Sequence, residues 1–475
     1  MNAIATTLVP PLQVLADLWA AARGDAEALQ RLALTGSEPA LPSSFRIGAI
    51  AQAVIAAAGL AAAEIWKRRT GRTQSVSVDM RHAAIEFRSE RTMRLDGKPP
   101  GPAWDKIAGI YGTGDGRKMR LHTNFPHHRD GILKLLACAC EREAVQAALM
   151  KWEAEKFETA AAGAGMVATM MRSPAEWAAH PQGRAVAALP LFEITRIGEA
   201  PARPLPSFPE DEKKRPLSGM RVLDLTRVIA GPVCGRALAA HGADVMRVTA
   251  PHLPGLPELD IDTGRGKLST AIDLRATDDR EWLRTLVREA HVFVQGYRPG
   301  GLAAKGFSPE ALAEVRPGIV AVTLSAYSHE GPWAARRGFD SLVQNASGIN
   351  VAEAEALGVP APKELPAQAL DHAAGYLMAF GAMMALLRKA EEGGSWHVRV
   401  SLAQTGHWLT SLGRLASGFA CPEPSGEELR ALTEEMATPF GRLSFVKHAA
   451  VLSETPAHWS RPPAKLGTHA PVWPM

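Results

Sequence analysis

Residues 216–248 read PLSGMRVLDLTRVIAGPVCGRALAAHGADVMRV, and their pattern decides the fold class. A short apolar run at 221–225 (RVLDL) leads into a loop containing Gly231-Pro232. A small-residue helical stretch follows over 233–241, and a second β-type run opens at Asp244 just after Gly242. Two strands separated by a helix's length of chain are parallel neighbours, because antiparallel partners need only a tight turn. Further strands are read at 244–248, 269–274, 291–294 and 319–324, with helices at 278–290 and 309–315. This alternation predicts an α/β fold, a doubly wound parallel sheet whose ligands sit at the carboxyl ends of its strands.

Working outward, residues 47–80 align without gaps on residues 369–402, a constant offset of 322. Each copy holds a long Ala-rich apolar helix, a basic turn, a glycine (Gly71 or Gly393) and a short alternating strand, VSVDM or VRVSL. Glycine just past the helix is the expected C-cap. The same helix-strand unit is therefore used twice. The charge-free stretch 47–63 reads as a buried helix rather than a membrane span, since it is mostly alanine with Gln52 inside.

The segment 199–215 (EAPARPLPSFPEDEKKR) is too rich in proline for a helix or central strand and reads as a linker. The expected division is a partial, degenerate repeat at 1–99 and a small α+β domain at 100–205. A linker at 206–215 and a large α/β domain at 216–475 complete it. Within the small domain, 110–124 reads as a hairpin around Asp115-Gly116, followed by helices near 131–142 and 142–157. The Pro-rich tail from Thr455 reads as an extended segment wrapped on the surface.

With 475 residues, 46% apolar and 21% charged, the chain is an ordinary globular protein rather than a fibrous or disordered one. A net charge of +4 is too small to indicate nucleic-acid binding, and a local site for a small anion is the better reading. Four cysteines without a CxxC pair point to a reducing compartment. The first residues have Pro10-Pro11 and Asp17 where a signal peptide would be apolar, so a cytoplasmic location is expected. Neither His122, His127 and His128 nor Cys138 and Cys140 carry ligand spacing for a metal. The histidines read as lining a ligand pocket or, preferably, as surface residues, and the cysteines as core residues on a helix.

The loop after 221–225 enters a helix whose N-terminal amides face the strand end, a favourable place for an anion. Arg265-Gly266-Lys267 and Tyr297-Arg298-Pro299-Gly300 follow, each beside an expected strand. No GxGxxG dinucleotide fingerprint is present in that loop.

Taken in order, these segments resemble the class III CoA-transferases, the CaiB/BaiF family that includes formyl-CoA transferase, carnitine-CoA transferase and methylacyl-CoA racemase. The family's GxRVLDLTxxxAGP stands at 219–232, GADVIKVE at 242–249, RGKxS at 265–269, RPG at 298–300, GP at 331–332 and DxxxG at 371–375. The resemblance implies that Asp371 is the nucleophile, forming an aspartyl anhydride and then an aspartyl-CoA thioester. It implies that acyl-CoA and a small carboxylic acid are the substrates, with no permanently bound cofactor. Arg227, Ala230, Gly231, Arg247, Arg265, Lys267, Tyr297 and Arg298 are the expected CoA contacts.

At the position matching Asp371 the first repeat has Ala49, so one chain carries one nucleophile. Racemases of the family place a histidine in a GHD-like segment, and here that segment is Gly338-Phe339-Asp340. The glutamate ending GADVIKVE is Thr249. Family members form interlocked dimers, and the order of parts here implies a homodimer or a fused pseudo-dimer whose N-terminal module closes the site. Three rival readings stand beside the transferase. Asp371 could serve only as a helix cap, the chain could be a non-catalytic acyl-CoA-binding or scaffolding subunit, or it could be a CoA-thioester lyase or isomerase.

Overall fold

The computed structural model describes residues 8–210 and 214–474. Residues 211–213 of the expected linker, and the outermost residues of the first and last expected domains, lie outside the described residues. The main sheet has seven strands: β1 (Phe192–Gly198), β2 (Arg221–Leu225), β3 (Asp244–Thr249), β4 (Lys267–Ala271), β5 (Val292–Gln295), β6 (Val320–Ser325) and β7 (Ser395–Ser401). Their spatial order is β4-β3-β2-β5-β6-β7-β1, parallel throughout except for the antiparallel pair β7-β1. This is the doubly wound arrangement, with its topological switch point between β2 and β5. The strands fall where the alternation places them, except that β4 begins two residues earlier than expected and ends at Ala271.

Three helices fix the position of the site: α1 (Ile47–Thr70), α2 (Ala230–Ala240) and α3 (Ala369–Glu392). The paired helices α1 and α3 are both 24 residues long and begin at the two ends of the 322-residue offset. They pack on each other, and α3 also packs on α2. Small residues permit this closeness: a Cβ on Gly375 would stand 2.4 Å from the Ala230 carbonyl oxygen, and one on Gly381 2.6 Å from Val398 Cγ1. Both α1 and α3 are long and apolar enough to cross a membrane, and both are buried inside the protein.

The first repeat builds its own small sheet. Its strand Val76–Asp79 pairs in parallel with Leu32–Thr35 and antiparallel with Ala450–Leu452. Residues of both repeats share one apolar core, from Val14 through α1 and α2 to Leu452. The tail is extended as expected, but it buries Trp459 and Trp473, whose indole N–H groups donate to the carbonyls of Arg236 and Leu286.

The small module has the expected hairpin, Gly109–Gly112 with Lys118–Leu121, joined by Ala168–Met170, and a separate core. Two expectations are corrected here. Residues 192–198, which fall inside the expected small domain at 100–205, form β1 and cap the edge of the main sheet beyond β7. The helix before the cysteines is Pro126–Leu136, ended by Ala137 in the left-handed region (φ 49°), so Cys138 and Cys140 are half-buried loop residues.

Candidate active site

The carboxyl ends of β2 and β5 open into a cavity of about 400 Å³. Residues 225–230 line it from the turn after β2, Gly296–Arg298 from the turn after β5, and Arg336 to Phe339 from the loop before Asp340. The small module closes the far side with Phe125, His127 and His128. The wall holds the cations Arg227, Arg275, Arg298, Lys305, Arg336 and Arg337 against the carboxylates Asp273 and Asp371. Arg275 is already paired with Asp273 at 2.5 Å. Arg227, Arg298 and Arg337 have no carboxylate within ion-pair distance among the described residues, so the cavity presents free positive charge to an anion. Val228, in the turn after β2, has φ 75°. A β-branched residue in that region is strained, and such strain gathers where a loop is held in place for a ligand.

Asp371 sits in the first turn of α3, 6% exposed, and lines the cavity. Its side chain does not cap the helix. That task belongs to Asp340, whose Oδ2 accepts the amide N–H of Leu370 at 2.8 Å and of Asp371 at 3.0 Å. Gln344 holds the other carboxylate oxygen of Asp340. The first repeat uses the same device: Glu38 Oε1 accepts the amide N–H of Ala49 at 2.7 Å. The helix start is thus satisfied by a carboxylate from outside the helix in both repeats, and only the second repeat adds a side chain able to react.

Burial raises the pKa of Asp371 well above the usual carboxylate range, and the nearby carboxylates Asp340 and Glu90 raise it further. Asp340 is pushed up to about 6 by burial, which its hydrogen bonds only partly offset. A carboxylate in this position is poorly solvated, and a reaction that turns it into a neutral acyl derivative relieves both the desolvation and the repulsion.

Of the expected CoA contacts, Arg227, Ala230, Tyr297 and Arg298 line the same cavity as Asp371. Four others are placed differently. Arg265 is fully buried, bonded to Asp262 at 2.8 Å and held over the rings of Phe445 and Trp459. Lys267 is buried under α2, donating to Asp224 and to the Pro232 carbonyl at 2.7 Å each. Arg247 is buried and paired with Asp260. Gly231 faces the strand end, where a Cβ would stand 2.4 Å from Thr226 Cβ, so its smallness serves the seating of α2 on β2. Proximity to a motif does not reveal a buried carboxylate partner contributed from elsewhere in the chain, as Asp224 shows for Lys267.

The surface reading of the histidines is also corrected. His122 and His128 are each 4% exposed, and Phe339 stacks on His122 with ring centroids 3.9 Å apart. Desolvation pushes both imidazoles down to about 3, so they are neutral. Of the two only His128 lines the cavity, and sequence reasoning missed the wall residues Arg336, Arg337 and Lys305. The GFD segment was the signal that could have found part of the wall, since Phe339 is what His122 and His128 pack against.

The family model described as CoA-transferase family III matches residues 217–434. The chain is 29% identical over 403 residues to an acyl-CoA transferase of Gibberella moniliformis, covering 77% of this chain and 70% of that protein. It is 30% identical over 279 residues to a probable fatty acyl-CoA transferase of Mycobacterium tuberculosis, covering 54% of this chain and 69% of that protein. Over 166 residues it is 34% identical to a succinate–glutarate CoA-transferase of Agrobacterium fabrum, covering 31% of this chain and 42% of that protein. The fold, the cavity at its switch point and these likenesses place the chain in CoA-transferase family III.

Proposed function

We propose that this chain moves CoA from an acyl-CoA thioester to a carboxylic acid, with Asp371 carrying the covalent intermediates. The observation that supports this most directly is a buried carboxylate, relieved of helix capping by Asp340, that lines a cation-rich cavity at the switch point. A carboxylate oxygen of Asp371 attacks the thioester carbonyl carbon, the C–S bond breaks, and CoA leaves as the thiolate. The thiolate then attacks the aspartyl carbonyl of the mixed anhydride, which releases the donor acid and leaves an aspartyl-CoA thioester. The acceptor carboxylate attacks that thioester and expels the thiolate. Thiolate attack on the acceptor's acyl carbon then yields the new acyl-CoA and restores Asp371. Once Asp371 has ionised, no proton is transferred at any of these steps, in keeping with the neutral His127 and His128 and the charged arginines of the wall.

Backbone N–H groups at the start of α2, beside Ala230, supply partial positive charge where the tetrahedral oxyanions form. Arg227 and Arg298 are the cations we assign to the phosphates of CoA, with Tyr297 beside them. Arg247, Arg265 and Lys267 hold the scaffold beneath. One chain would carry a complete site, because the small module's Phe125, His127 and His128 and the large sheet's Asp371 meet in one cavity. Four unpaired cysteines support work in a reducing compartment.

An acceptor acid labelled with 18O in both carboxylate oxygens tests the scheme. The bridging oxygen of the second anhydride stays with the enzyme, so the peptide containing Asp371 gains one 18O per turnover. Product formation without label in that peptide would remove Asp371 from the reaction. One observation favours a second reading: His127 and His128 line the same cavity as Asp371, so a second base is at hand for isomerisation next to the thioester. Solvent deuterium entering the α-carbon of an acyl-CoA, with no CoA transfer, would select that reading.

A further inference from the structure

The repeat without a carboxylate at the start of its long helix reaches across to the helix that has one. Beyond its strand Val76–Asp79, the first repeat continues through the helix Met80–Glu86 and a short helix Ser89–Thr92, and an acidic side chain from each meets α3. Glu86 Oε1 accepts the Tyr376 hydroxyl at 2.5 Å, and Glu90 Oε2 lies 3.0 Å from His372 Nε2. All four side chains are buried. Residues 372 and 376 share one face of α3, so the two contacts form a ladder along it. Phe87 stacks on both rings, 5.4 Å from His372 and 6.3 Å from Tyr376. The foot of this ladder is His372, the residue next to Asp371.

The repeat architecture does not require this ladder. Met80–Glu86 and Leu402–Ser411 begin at positions matched by the 322-residue offset. At the same offset His372 and Tyr376 correspond to Ile50 and Val54, and Glu86 corresponds to Trp408. Apolar side chains therefore serve at the matched positions, and burying ionisable ones costs desolvation that only close partners offset. The polar pairs stand only on the side of Asp371.

The segment that carries Glu90 is fastened down. Ser89 Oγ donates to Asp262 Oδ2 at 2.7 Å, which ties it to the large domain. Burial opposes charge on Glu90, yet His372 and Arg91 hold its carboxyl below the ordinary value, so it is ionised. The groups facing Glu90 are His372, Arg91 and Asp262, and those facing Asp371 are Asp340 and Glu90, with the arginines of the cavity wall beyond. Neither Glu90 nor His372 lines the cavity.

We propose that Glu90, supplied by the first repeat, is a positioning residue for Asp371: through His372 it fixes the first turn of α3, and its charge opposes the Asp371 carboxylate until acylation makes that group neutral. The inference rests on the transferase reading and gives the first repeat a part in it.

Difference infrared titration of the full chain without substrate, each protein minus its Asp371→Asn counterpart, follows the protonated carboxyl of Asp371, and kinetics on acyl-CoA then separate kcat from KM. Glu90→Gln keeps the size of the side chain and a partner for His372 while removing the charge. It should lower the titration midpoint of Asp371 by roughly half a pH unit or more, with the acid limb of kcat/KM moving alongside and KM unchanged. His372→Phe, which keeps a ring against Phe87, should lower kcat roughly 10-fold or more at unchanged KM, as expected of a displaced nucleophile. Tyr376→Phe breaks the other rung of the ladder and should lower the melting temperature while leaving the Asp371 titration in place. A folded Glu90→Gln protein that melts lower but titrates as wild type overturns the proposal, because its role is then structural. An equal shift in Tyr376→Phe, or a wild-type kcat in His372→Phe, also overturns it. If Glu90→Gln does not fold, His372→Phe decides. A shifted Asp371 titration in Glu90→Gln, in a protein whose wild type transfers no CoA, would end the transferase reading and leave the coupling between the two carboxylates standing.

Discussion

Asp340 Oδ2 accepts the backbone N–H of Asp371 at 3.0 Å, so one carboxylate orders the helix turn that carries the other. Both are buried, and the charge of Asp340 makes ionisation of Asp371 harder. Asp340→Asn keeps an oxygen in the Oδ2 place that can accept both amides, gives up the acceptor for Gln344 and removes the negative charge. The pKa of Asp371 will then fall, because the like charge that raised it is gone. The acid limb of the pH–rate profile for enzyme acylation will move to lower pH, and Asp340→Ala will instead lose roughly 1 kcal/mol of helix capping. Unchanged profiles in Asp340→Asn would show that the two carboxylates are not coupled.

The same pair makes stability depend on pH. A carboxyl group whose folded pKa lies above its unfolded value binds more protons in the folded state. Stability therefore declines as pH rises from the ordinary carboxylate range near 4 through the folded pKa. Asp371→Asn removes that penalty and will melt a few degrees higher than wild type at pH 8, with a smaller difference at pH 4. Thermal denaturation at the two pH values checks it.

The buried cations behave as scaffold. Lys267→Met leaves Asp224 buried at the end of β2 without its charge partner, and about 3–5 kcal/mol of stability will be lost. Arg298→Ala, at an exposed site on the cavity wall, will leave the melting temperature nearly unchanged and raise the KM for acyl-CoA. Melting curves and steady-state kinetics on the two variants separate these effects. The opposite pattern would return Lys267 to the binding surface.

Gly375, the last residue of the DxxxG segment, lies against the first residue of α2. A methyl group there meets the Ala230 carbonyl oxygen at 2.4 Å, and that oxygen belongs to backbone that cannot swing aside. Gly375→Ala will cost roughly 1–3 kcal/mol by overpacking and will lower kcat, because it pushes α2 away from the turn of Asp371. Gly71→Ala, at a helix end with open space and φ 74°, will strain the C-cap and leave kcat unchanged.

Much of this was legible in the sequence because the signals were periodic or covalently local. The strand-helix alternation after Pro216 located β2 to β6, and the 322-residue offset located α1 and α3 to within two residues. Asp371 stood out as the expected nucleophile through its DxxxG context, and Ala49 marked the repeat without a carboxylate there. What was hidden depends on partners distant in the chain. Nothing near Arg265 announces that Phe445 and Trp459 cover it, and nothing near Asp371 announces that Asp340 caps its helix. The histidines of 122–128 looked like surface residues because their segment is polar, and they are buried because the large domain's Phe339 packs on them. β1 was assigned to the wrong body because an edge strand pairing back on β7 leaves no mark in local composition.

A complete site in one chain has a kinetic signature. Specific activity will stay constant on dilution through any dissociation seen by sedimentation, since Phe125, His127, His128 and Asp371 line a single cavity of one chain. Activity that falls in step with dissociation would mean that a second copy is required.

The central claim is that Asp371 forms the covalent intermediate. Intact-protein mass spectrometry after incubation with a panel of acyl-CoAs and hydroxylamine, on wild type and Asp371→Ala, tests it most directly. The account predicts a hydroxamate at Asp371 in the wild type and no modified peptide in the variant. Transfer of CoA between acids by Asp371→Ala at the wild-type rate would contradict it.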